Sequence, residues 1–532
     1  SHLISSALTY ASRAESAMNA IGTSVTGCLR QAALVSSGVP QKIQRLCRGH
    51  AVFKQSICSE GQRFSSASST SAPHVVIAGC GVAGASTAMH LARRGARVTL
   101  VDPRPPLTAS SQYSTECYRN FFLDPVMVPF MSRSIDLLEG LAGDENLFRL
   151  NRKGYCFITA SERGVVSFEE FAAVASGFGA GPVRKHRDAS SYLRSPEIGF
   201  QHPDMVGFDL VYGSQAIREI FPFVTDQAVA MLHARRCGWM DAQGLGQTML
   251  REAKAGSAQV LRGEVQGFDI SSGTVSQVHV LQNDGIEAAL NCDAFVNAAG
   301  AWTKSISDLL APDEPLPLSN EVHAKVILND TLGAIPQDSA PFMVWRDAVT
   351  LDWDEDTQSG LDELDDTAEG GIINSKRWKH PQPGGQHLRP AGNGRVLMLW
   401  EHFHRHIDLP EAPSMPVEEF LDMYPELCLG GLKVMVPGLG QYDGRLGRDT
   451  VVDGGYYTVT SDSRPLIGSH GAKNAFVCSG MGTYGLMASP AAGELASQYV
   501  LGDELPEYAG AFTWPRRISP EEKPIDLLDD SA

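Results

Sequence analysis

The chain has 532 residues, of which 20% are charged, and its formal net charge is −17. This length suits two large domains, and the acidic balance argues against nucleic acid as a partner, because phosphate binding requires clustered lysine and arginine. No run of about 18 apolar residues is present, which predicts that no segment spans a membrane. Ten scattered cysteines show neither metal-ligand nor disulfide spacing, which is typical of reduced thiols.

Residues 1–71 differ in composition from the rest of the chain. They are rich in serine and alanine, and seven basic residues but only two acidic ones precede Ser65. This composition is typical of an organelle transit peptide, and the stretch from Arg63 to Ser66 resembles a mitochondrial processing site. We predict a mitochondrial location on the matrix side, with a plastid as one alternative and a disordered tail without targeting function as another.

A glycine-rich turn follows the first predicted strand. The apolar run 74–78 leads into Gly79, Gly81 and Gly84, then into a helical pattern and a second strand that ends at Asp102. Gly79 permits a tight turn, Gly81 lets the backbone approach a pyrophosphate, and Gly84 lets helix and strand pack closely. The helix N-terminus offers N–H groups to the phosphates, and the carboxylate 23 residues after the first glycine can accept from ribose hydroxyls. We therefore predict that a dinucleotide binds here.

Four further segments carry a resemblance to a known family. They are residues 238–241, 296–302, 457–468 and 480–490. With the glycine motif they resemble the D-amino-acid oxidase and sarcosine oxidase superfamily of FAD-dependent amine oxidoreductases, over about residues 73–506. The resemblance implies FAD as the cofactor, whereas the glycine motif alone leaves an NAD-linked dehydrogenase open.

The resemblance implies an α/β fold in which a Rossmann-like FAD-binding domain is interleaved with a mixed, antiparallel-rich β-sheet substrate domain. The predicted segments are 72–140, 225–312 and 447–510 for the FAD-binding domain, and 141–224 and 313–446 for the substrate domain. Residues 511–532 are predicted to form a C-terminal tail.

In this family three separated strips of chain enclose an extended FAD. Carried over residue by residue, the resemblance assigns to the cofactor Gly79, Gly81, Val82, Ala83, Gly84, Asp102, Arg104, Ser110, Ser111, Ser114, Thr115, Val265, Ala298, Ala299, Gly300, Trp302, Gly480, Gly482, Thr483, Tyr484, Gly485, Leu486 and Met487. It implies that the backbone near Val265 meets the adenine and that Thr115 lies near the flavin ring. It also implies that N–H groups at 485–487 face the flavin pyrimidine edge, where a helix N-terminus suits negative charge.

Two positions depart from the family pattern. Monomeric sarcosine oxidases attach FAD through a cysteine two residues before a Tyr-Thr pair, and Gly455 stands at that place here, so we predict non-covalent FAD. The same enzymes carry a flavin-facing lysine that activates oxygen, and an ungapped match of 398–402 places Met398 there. Because methionine carries no charge, this alignment favours a dehydrogenase over an oxidase.

Five residues are predicted to take part in substrate binding or catalysis: Arg119, Trp400, Glu401, His402 and Arg389. Arg119 is the cation that the resemblance implies near the flavin. Arg389 could hold a carboxylate through a bidentate fork, and Glu401 could accept from a substrate amine. Because side chains alternate along a strand, either Trp400 and His402 or Glu401 alone can face the flavin.

His402, His404 and His406 alternate along one segment, and three imidazoles on one strand face resemble a zinc site. Nothing nearby in the sequence supplies a fourth ligand, so we predict no metal. The acidic run 352–369 lacks the glycine and terminal glutamate spacing of a calcium loop and is predicted to be a solvated surface insertion.

The predicted reaction is oxidation of a C–N bond in an amino acid or N-methyl amine, with hydride transfer to flavin N5 and hydrolysis of the imine. The predicted partners are this small-molecule substrate and an electron carrier or respiratory-chain protein. Because a fold does not settle function, a hypothesis of another class stays open. In it, the chain is a flavin-binding mitochondrial protein that assembles or supports a respiratory complex with little turnover.

Overall fold

The computed structural model describes residues 72–363, 376–401, 404–407, 423–446 and 450–516. The predicted transit peptide, residues 517–532 of the predicted tail, His402 and the end of the acidic run therefore lie outside the described residues.

Strands and helices are numbered in chain order. The strands are β1 (His74–Ala78), β2 (Arg97–Asp102), β3 (Cys117–Tyr118), β4 (Tyr155–Thr159), β5 (Val183–His186), β6 (Phe208–Tyr212), β7 (Ala230–Ala234), β8 (Gly238–Trp239), β9 (Gln259–Ser271), β10 (Thr274–Gln282), β11 (Glu287–Asn291), β12 (Ala294–Asn297), β13 (Ser319–Asn329), β14 (Phe342–Trp345), β15 (Gln386–Gly392), β16 (Arg395–Trp400), β17 (His404–Ile407), β18 (Thr450–Val459), β19 (Leu466–Ser469) and β20 (Ala475–Ser479). The helices are α1 (Val82–Arg93), α2 (Met127–Ala142), α3 (Glu162–Ala175), α4 (Ser214–Ile220), α5 (Ala242–Ala255), α6 (Thr303–Leu310), α7 (Glu355–Glu363), α8 (Tyr424–Lys433) and α9 (Gly485–Leu501).

The first sheet has the order β11-β10-β9-β2-β1-β12-β20-β19. Its centre, from β9 to β20, is parallel, and β10, β11 and β19 join it antiparallel. In β1, Val75 and Ile77 point into the core under α1 and α9, while Val76 and Ala78 point into the opposite core, which contains β9 and β10. A strand buried on both faces reads as a continuous apolar run, which is why 74–78 has no polar alternation. The predicted α/β class and Rossmann-like first unit are confirmed.

Helix α9 contains Pro490, which is the sixth residue of the helix, counting Gly485 as the first. A proline in a helix has no N–H to give to the carbonyl four residues earlier, here that of Leu486. The Ser489 hydroxyl donates to that carbonyl instead, at 2.9 Å. The substituted hydrogen bond lets the helix run through the proline to Leu501.

The second sheet has the order β17-β13-β16-β15-β14-β4-β7-β6-β5. Strand β18 also pairs with β13 but lies outside this order. Most neighbouring strands are antiparallel, although β14 pairs parallel with β4 and β5 with β6. One face packs with α4 and α8 in a core that includes Met398 and Trp400. The other face contributes Phe157 and Leu232 to the main core shared with α2 and α3. This is the mixed, antiparallel-rich sheet that the resemblance implies.

Two strands, β7 and β18, lie in the second sheet, although the predicted domain boundaries place both in the FAD-binding domain. Strand β7 pairs with β4 and β6, and β18 pairs with β13, so both belong to the second sheet. The predicted boundaries at 225 and 447 thus do not coincide with the division between the two sheets. Pairing partners far apart in the chain are not visible in a single sequence.

Among the described residues, no helix combines the length and the apolar character that a membrane crossing requires.

Gly84 gives a prediction for the first unit. A Cβ at this position would lie 2.1 Å from the Gly79 carbonyl oxygen, so Gly84→Ala has to push α1 away from β1. We expect a loss of about 1–3 kcal/mol in unfolding free energy, typical of overpacking, and a lower FAD content. Chemical denaturation measures the unfolding free energy, and the flavin absorbance of the purified protein measures the FAD content.

Gly140→Ala is the matched control, since it also lies in a helix, α2, and its Cβ would meet nothing within 4 Å. Replacing glycine by alanine there should stabilise the protein by about 0.5–1 kcal/mol through helix propensity. Equal effects of the two substitutions would contradict the packing role of Gly84.

Candidate functional site

Two adjoining clefts lie between the sheets. The first is bordered by the glycine motif, the 298–302 turn and the start of α9. The second is bordered by β13, β15, β16 and the 113–119 segment. Tyr457 and Thr483 line both, so the clefts are continuous.

The first cleft is bordered by a glycine, Gly79, that a residue with a side chain could not replace. Gly79 has a φ of +99°, and a Cβ there would lie 2.4 Å from the Ala298 carbonyl oxygen. Gly81 precedes α1, which has no side-chain cap, and the Val82 N–H donates to the Ser111 hydroxyl at 3.1 Å. The helix thus presents its positive end to the cleft, which suits a pyrophosphate.

Asp102 lies at the end of β2 and lines the first cleft. Its carboxylate accepts from the Cys80 N–H and the Arg104 N–H, each at 2.9 Å. The Arg104 guanidinium lies 3.8 Å from the centre of the Trp302 ring and so joins the end of β2 to the turn after β12. These contacts fix the direction of the carboxylate at the edge of the first cleft.

Most of the predicted cofactor residues border the clefts. The first cleft is lined by Gly79, Gly81, Val82, Ala83, Asp102, Arg104, Ser110, Ser111, Ser114, Ala298, Ala299, Gly300, Trp302, Gly480, Gly482, Thr483, Gly485 and Leu486. Thr115, Tyr484 and Met487 line the second cleft. Gly84 and Val265 line neither: Gly84 packs on the Gly79 carbonyl, and Val265 is buried between β9 and β10.

Helix α9 directs its N-terminus at the junction of the two clefts. It begins at Gly485 without a side-chain cap, and Leu486 and Met487 lie in its first turn. Gly480 and Gly482, with φ of +65° and +51°, form the turn that leads into it. The uncapped end is a second site for negative charge, in addition to the N-terminus of α1.

Arg119 is the predicted catalytic residue that the structure places deepest in the second cleft. It is 3% exposed, and its guanidinium lies 5.0, 4.7 and 5.5 Å from the ring centres of Phe121, Phe122 and Tyr484. Aromatic faces stabilise a cation in a site that water reaches poorly. A buried arginine in a cleft is a strong binder of carboxylates.

Strand alternation separates the predicted residues of β16. Leu399 and Glu401 line the second cleft, whereas Met398 and Trp400 are fully buried on the opposite face. Trp400 packs against α8, where a Cβ on Gly431 would meet its ring at 2.7 Å, and its indole donates to the Pro383 carbonyl. The assignment of Trp400 to the site is therefore wrong, and Glu401 is the residue that reaches the cleft.

Arg389 does not line either cleft. Its guanidinium donates to the carbonyl of Thr115 at 3.0 Å, to the Glu116 carboxylate at 2.8 Å and to the Pro390 carbonyl at 2.7 Å. Since these contacts occupy the fork, the predicted carboxylate clamp is wrong. Arg389 instead fixes the loop that carries Thr115.

Lys325 lines the second cleft and was not found by sequence reasoning. It is 5% exposed, donates to the Tyr113 and Ser114 carbonyls, and lies 3.4 Å from the Asp453 carboxylate. Burial lowers its pKa, and Asp453 acts against that shift. The second cleft therefore contains a lysine, but on β13 and not on β16, where the alignment places Met398.

Further residues of the clefts were also missed. They include His323 and Tyr457 in the second cleft, and Ala109, Ala301, Tyr456, Thr458, Cys478, Ser479 and Met481 in the first. His387, which the sequence offers as a candidate for the wall of the substrate pocket, also lines the second cleft. Burial lowers the pKa of His387 to about 4, so its imidazole is neutral at pH 7. The one signal for the β18 residues was the 457–468 segment, which contains Tyr457 and Thr458 and directly follows Tyr456.

The extended first cleft, its glycines and its two uncapped helix ends fit FAD. The chain matches the family model described as FAD dependent oxidoreductase over residues 74–348. A curated relative, an uncharacterized oxidoreductase of Bacillus subtilis, is 25% identical over 236 residues, which are 43% of this chain and 56% of the relative. The chain thus spans little more than half the length of that relative.

Solved structures share the fold. L-proline dehydrogenase from P. horikoshii superposes with a TM-score of 0.60 at 19% identity, over 82% of this chain and 95% of that one. Glycine oxidase from Geobacillus kaustophilus gives 0.60 at 17% identity, over 84% and 100%. At these identities the likeness concerns the fold.

The thiols near the clefts bear on how the cofactor is held. Gly455 offers none, Cys478 lines the first cleft and Cys117 the second. Burial raises the pKa of Cys478 to about 12 and also raises that of Cys117, so both are weakly nucleophilic neutral thiols. We expect acid precipitation of the yellow protein to release FAD into the supernatant; yellow colour retained in the pellet would disprove non-covalent binding.

Proposed function

The chain belongs to the family of FAD dependent oxidoreductases, and we propose that it oxidises a C–N bond of an amino acid or an N-methyl amine in the second cleft. The observation that carries this proposal is a cleft lined by both a buried cation, Arg119, and a carboxylate, Glu401, next to the cofactor cleft. When bound, FAD supplies the acceptor for a hydride at its N5 atom. The structures compared above are named for the amino acids proline and glycine, which supports this substrate class.

Arg119 binds and orients the substrate carboxylate. Its burial beneath three aromatic rings removes competing water, so a charge-assisted hydrogen bond made there is stronger than one at the surface. Fixing the carboxylate also fixes the carbon next to nitrogen, and this orientation is the main contribution of the protein.

Glu401 and the neutral His387 form the polar wall of the same cleft. The Glu401 carboxylate accepts N–H hydrogen bonds from the substrate nitrogen. His387 Nδ1 lies 2.7 Å from the Gly385 carbonyl, which fixes the proton on Nδ1 and leaves Nε2 as an acceptor. These groups stabilise the imine as positive charge develops on nitrogen, and water then hydrolyses it.

A separate question is which electron acceptor reoxidises the reduced flavin. We propose that Lys325 gives the site reactivity with oxygen, since a buried cation that lines the second cleft stabilises negative charge on reduced oxygen. This proposal replaces the preference for a dehydrogenase that the Met398 alignment suggests. Transfer to an electron carrier or respiratory-chain protein stays an additional hypothesis, which activity with carriers but not with oxygen would support.

The accessory-protein hypothesis expects a blocked pocket and a large exposed apolar patch. The second cleft is instead lined by the charged groups of Arg119, Lys325 and Glu401, which can bind a small polar substrate and so support turnover. We also propose the mitochondrial matrix as the location, from the composition of residues 1–71. A reporter fused to residues 1–71 should enter mitochondria, and accumulation in plastids or the cytosol would contradict this.

Arg119→Met removes the cation and keeps much of the apolar volume. We expect KM for the best amino acid to rise about 10–100-fold, the value of one lost charge-assisted hydrogen bond. N-methyl amines without a carboxylate should be affected far less. Anaerobic bleaching of the flavin band across a panel of amino acids and amines first finds the substrate, and steady-state kinetics then measure the change.

Arg187→Met is the matched control, because Arg187 is an exposed arginine whose guanidinium lies 6.0 Å from the Tyr212 ring, away from both clefts. It should leave KM unchanged. An equal rise in KM for carboxylate-free amines in Arg119→Met would show that Arg119 does not bind a carboxylate. No bleaching with any compound would favour the accessory role.

Lys325→Met tests whether Lys325 gives the site its reactivity with oxygen. We expect kcat/KM for oxygen to fall about 10-fold or more, equivalent to about 1.4 kcal/mol, while turnover with an artificial dye acceptor is nearly retained. Oxygen-electrode and dye-reduction assays on the same preparation give the ratio of turnover with oxygen to turnover with the dye. The control is Lys304→Met, an exposed lysine paired with Asp308. Equal losses with both acceptors would contradict a role in oxygen reactivity.

A further inference from the structure

Strands β13 and β17 bring a carboxylate and two imidazoles together at the rim of the second sheet. In the antiparallel register, Glu321 lies opposite His406 and His323 opposite His404. One ligand atom from each of Glu321, His404 and His406 lies within 4.8 Å of the other two. The sequence shows the histidines but not the carboxylate, which comes from a strand more than 80 positions earlier.

The arrangement follows from strand geometry. His404 and His406 are two residues apart on β17, so both side chains leave the same face. Directly opposite residues of paired strands have their Cβ atoms about 4.5–5.5 Å apart, which lets Glu321 reach the two rings. The His406 Nε2 atom already lies 3.6 Å from Glu321 Oε1.

A fourth side chain orients the carboxylate. His323 Nε2 donates to Glu321 Oε2 at 2.8 Å, and the His323 ring stacks on His404 with centres 5.0 Å apart. In metal sites, a hydrogen bond from a neighbouring side chain commonly fixes the direction of the group that binds the metal. The contact from His323 to Glu321 is of this kind. The side chain of Glu321 is 14% exposed and that of His406 is 67% exposed, so the carboxylate is held while one imidazole can turn towards it.

We propose that Glu321, His404 and His406 bind a divalent first-row transition ion such as Zn²⁺, with His323 as the outer-shell partner of Glu321. Imidazole and carboxylate together suit such an ion, whereas calcium and magnesium prefer oxygen ligands alone. Ligand bonds of about 2.0–2.2 Å require the three atoms to close towards the ion, which rotation of the exposed His406 ring achieves. Water completes the coordination.

The site adjoins the second cleft without forming part of it. His323 lines that cleft and stacks on Tyr457, with ring centres 4.3 Å apart. A bound ion would tie β17, which pairs with β13 over only 320–323, to the wall of the substrate site. Binding should therefore raise the thermal stability of the protein, because a ligand that binds only the folded state stabilises it.

The test uses the FAD-loaded protein after chelator treatment, titrated with Zn²⁺ at neutral pH by calorimetry and by thermal unfolding. We expect one strong Zn²⁺ per chain and a rise in Tm. His406→Ala, on the exposed side of the site, should weaken binding at least about 10-fold, since even an outer-shell loss costs about 10–100-fold. It should also abolish the rise in Tm.

His279→Ala is the matched control, because His279 is likewise an exposed strand histidine, 2.9 Å from the Asp269 carboxylate. It should bind Zn²⁺ like the parent protein, and excess Mg²⁺ should not displace the ion from either. Flavin absorbance and circular dichroism confirm that each variant is folded. Unchanged affinity in His406→Ala, equal loss in His279→Ala, or no stoichiometric binding by the parent protein would overturn the proposal and leave Glu321 and His406 as an ion pair.

Discussion

The contact between the glycine turn and the end of β12 is the constraint on which the first cleft depends. Gly79 lies so near Ala298 that no side chain fits between them, and Gly84 lies equally near the Gly79 carbonyl. These two close backbone contacts bring α1, β1 and the 298–302 turn together at one point. The N-terminus of α1 and the carboxylate of Asp102 then border a single elongated space.

The loop from Ser110 to Glu116 links that space to the second sheet. The Ser110 hydroxyl donates to the Tyr456 carbonyl at 2.6 Å, and Lys325 donates to the Tyr113 carbonyl at 2.5 Å. Arg389 holds the Thr115 carbonyl further along. Three strands of the second sheet therefore fix a loop that belongs, by sequence, to the FAD-binding unit. This shared loop explains why the two clefts form one continuous site.

Alternation along the strands of the second sheet decides which residues reach the substrate. On β13, Val322 and Val326 point into the core while His323 and Lys325 point into the second cleft. On β16 the same rule buries Met398 and exposes Glu401 to the cleft. A shift of one residue in either strand would exchange the two sets. The charge of the site thus depends on register more than on the number of charged residues nearby.

The sequence by itself determined the first unit, because its features are local: strand, glycine turn, helix and terminal carboxylate lie within 30 residues of one another. Together with the resemblance it also predicted the strips at 298–302 and 480–487, whose turns and helix end border the first cleft. Tertiary structure decided the substrate side. Lys325, Glu321 and the orientation of β16 depend on pairing between strands far apart in the chain, and Trp400 and Arg389 were misplaced for the same reason. A single sequence specifies which residues alternate, but only the packed sheet specifies which face meets the cleft.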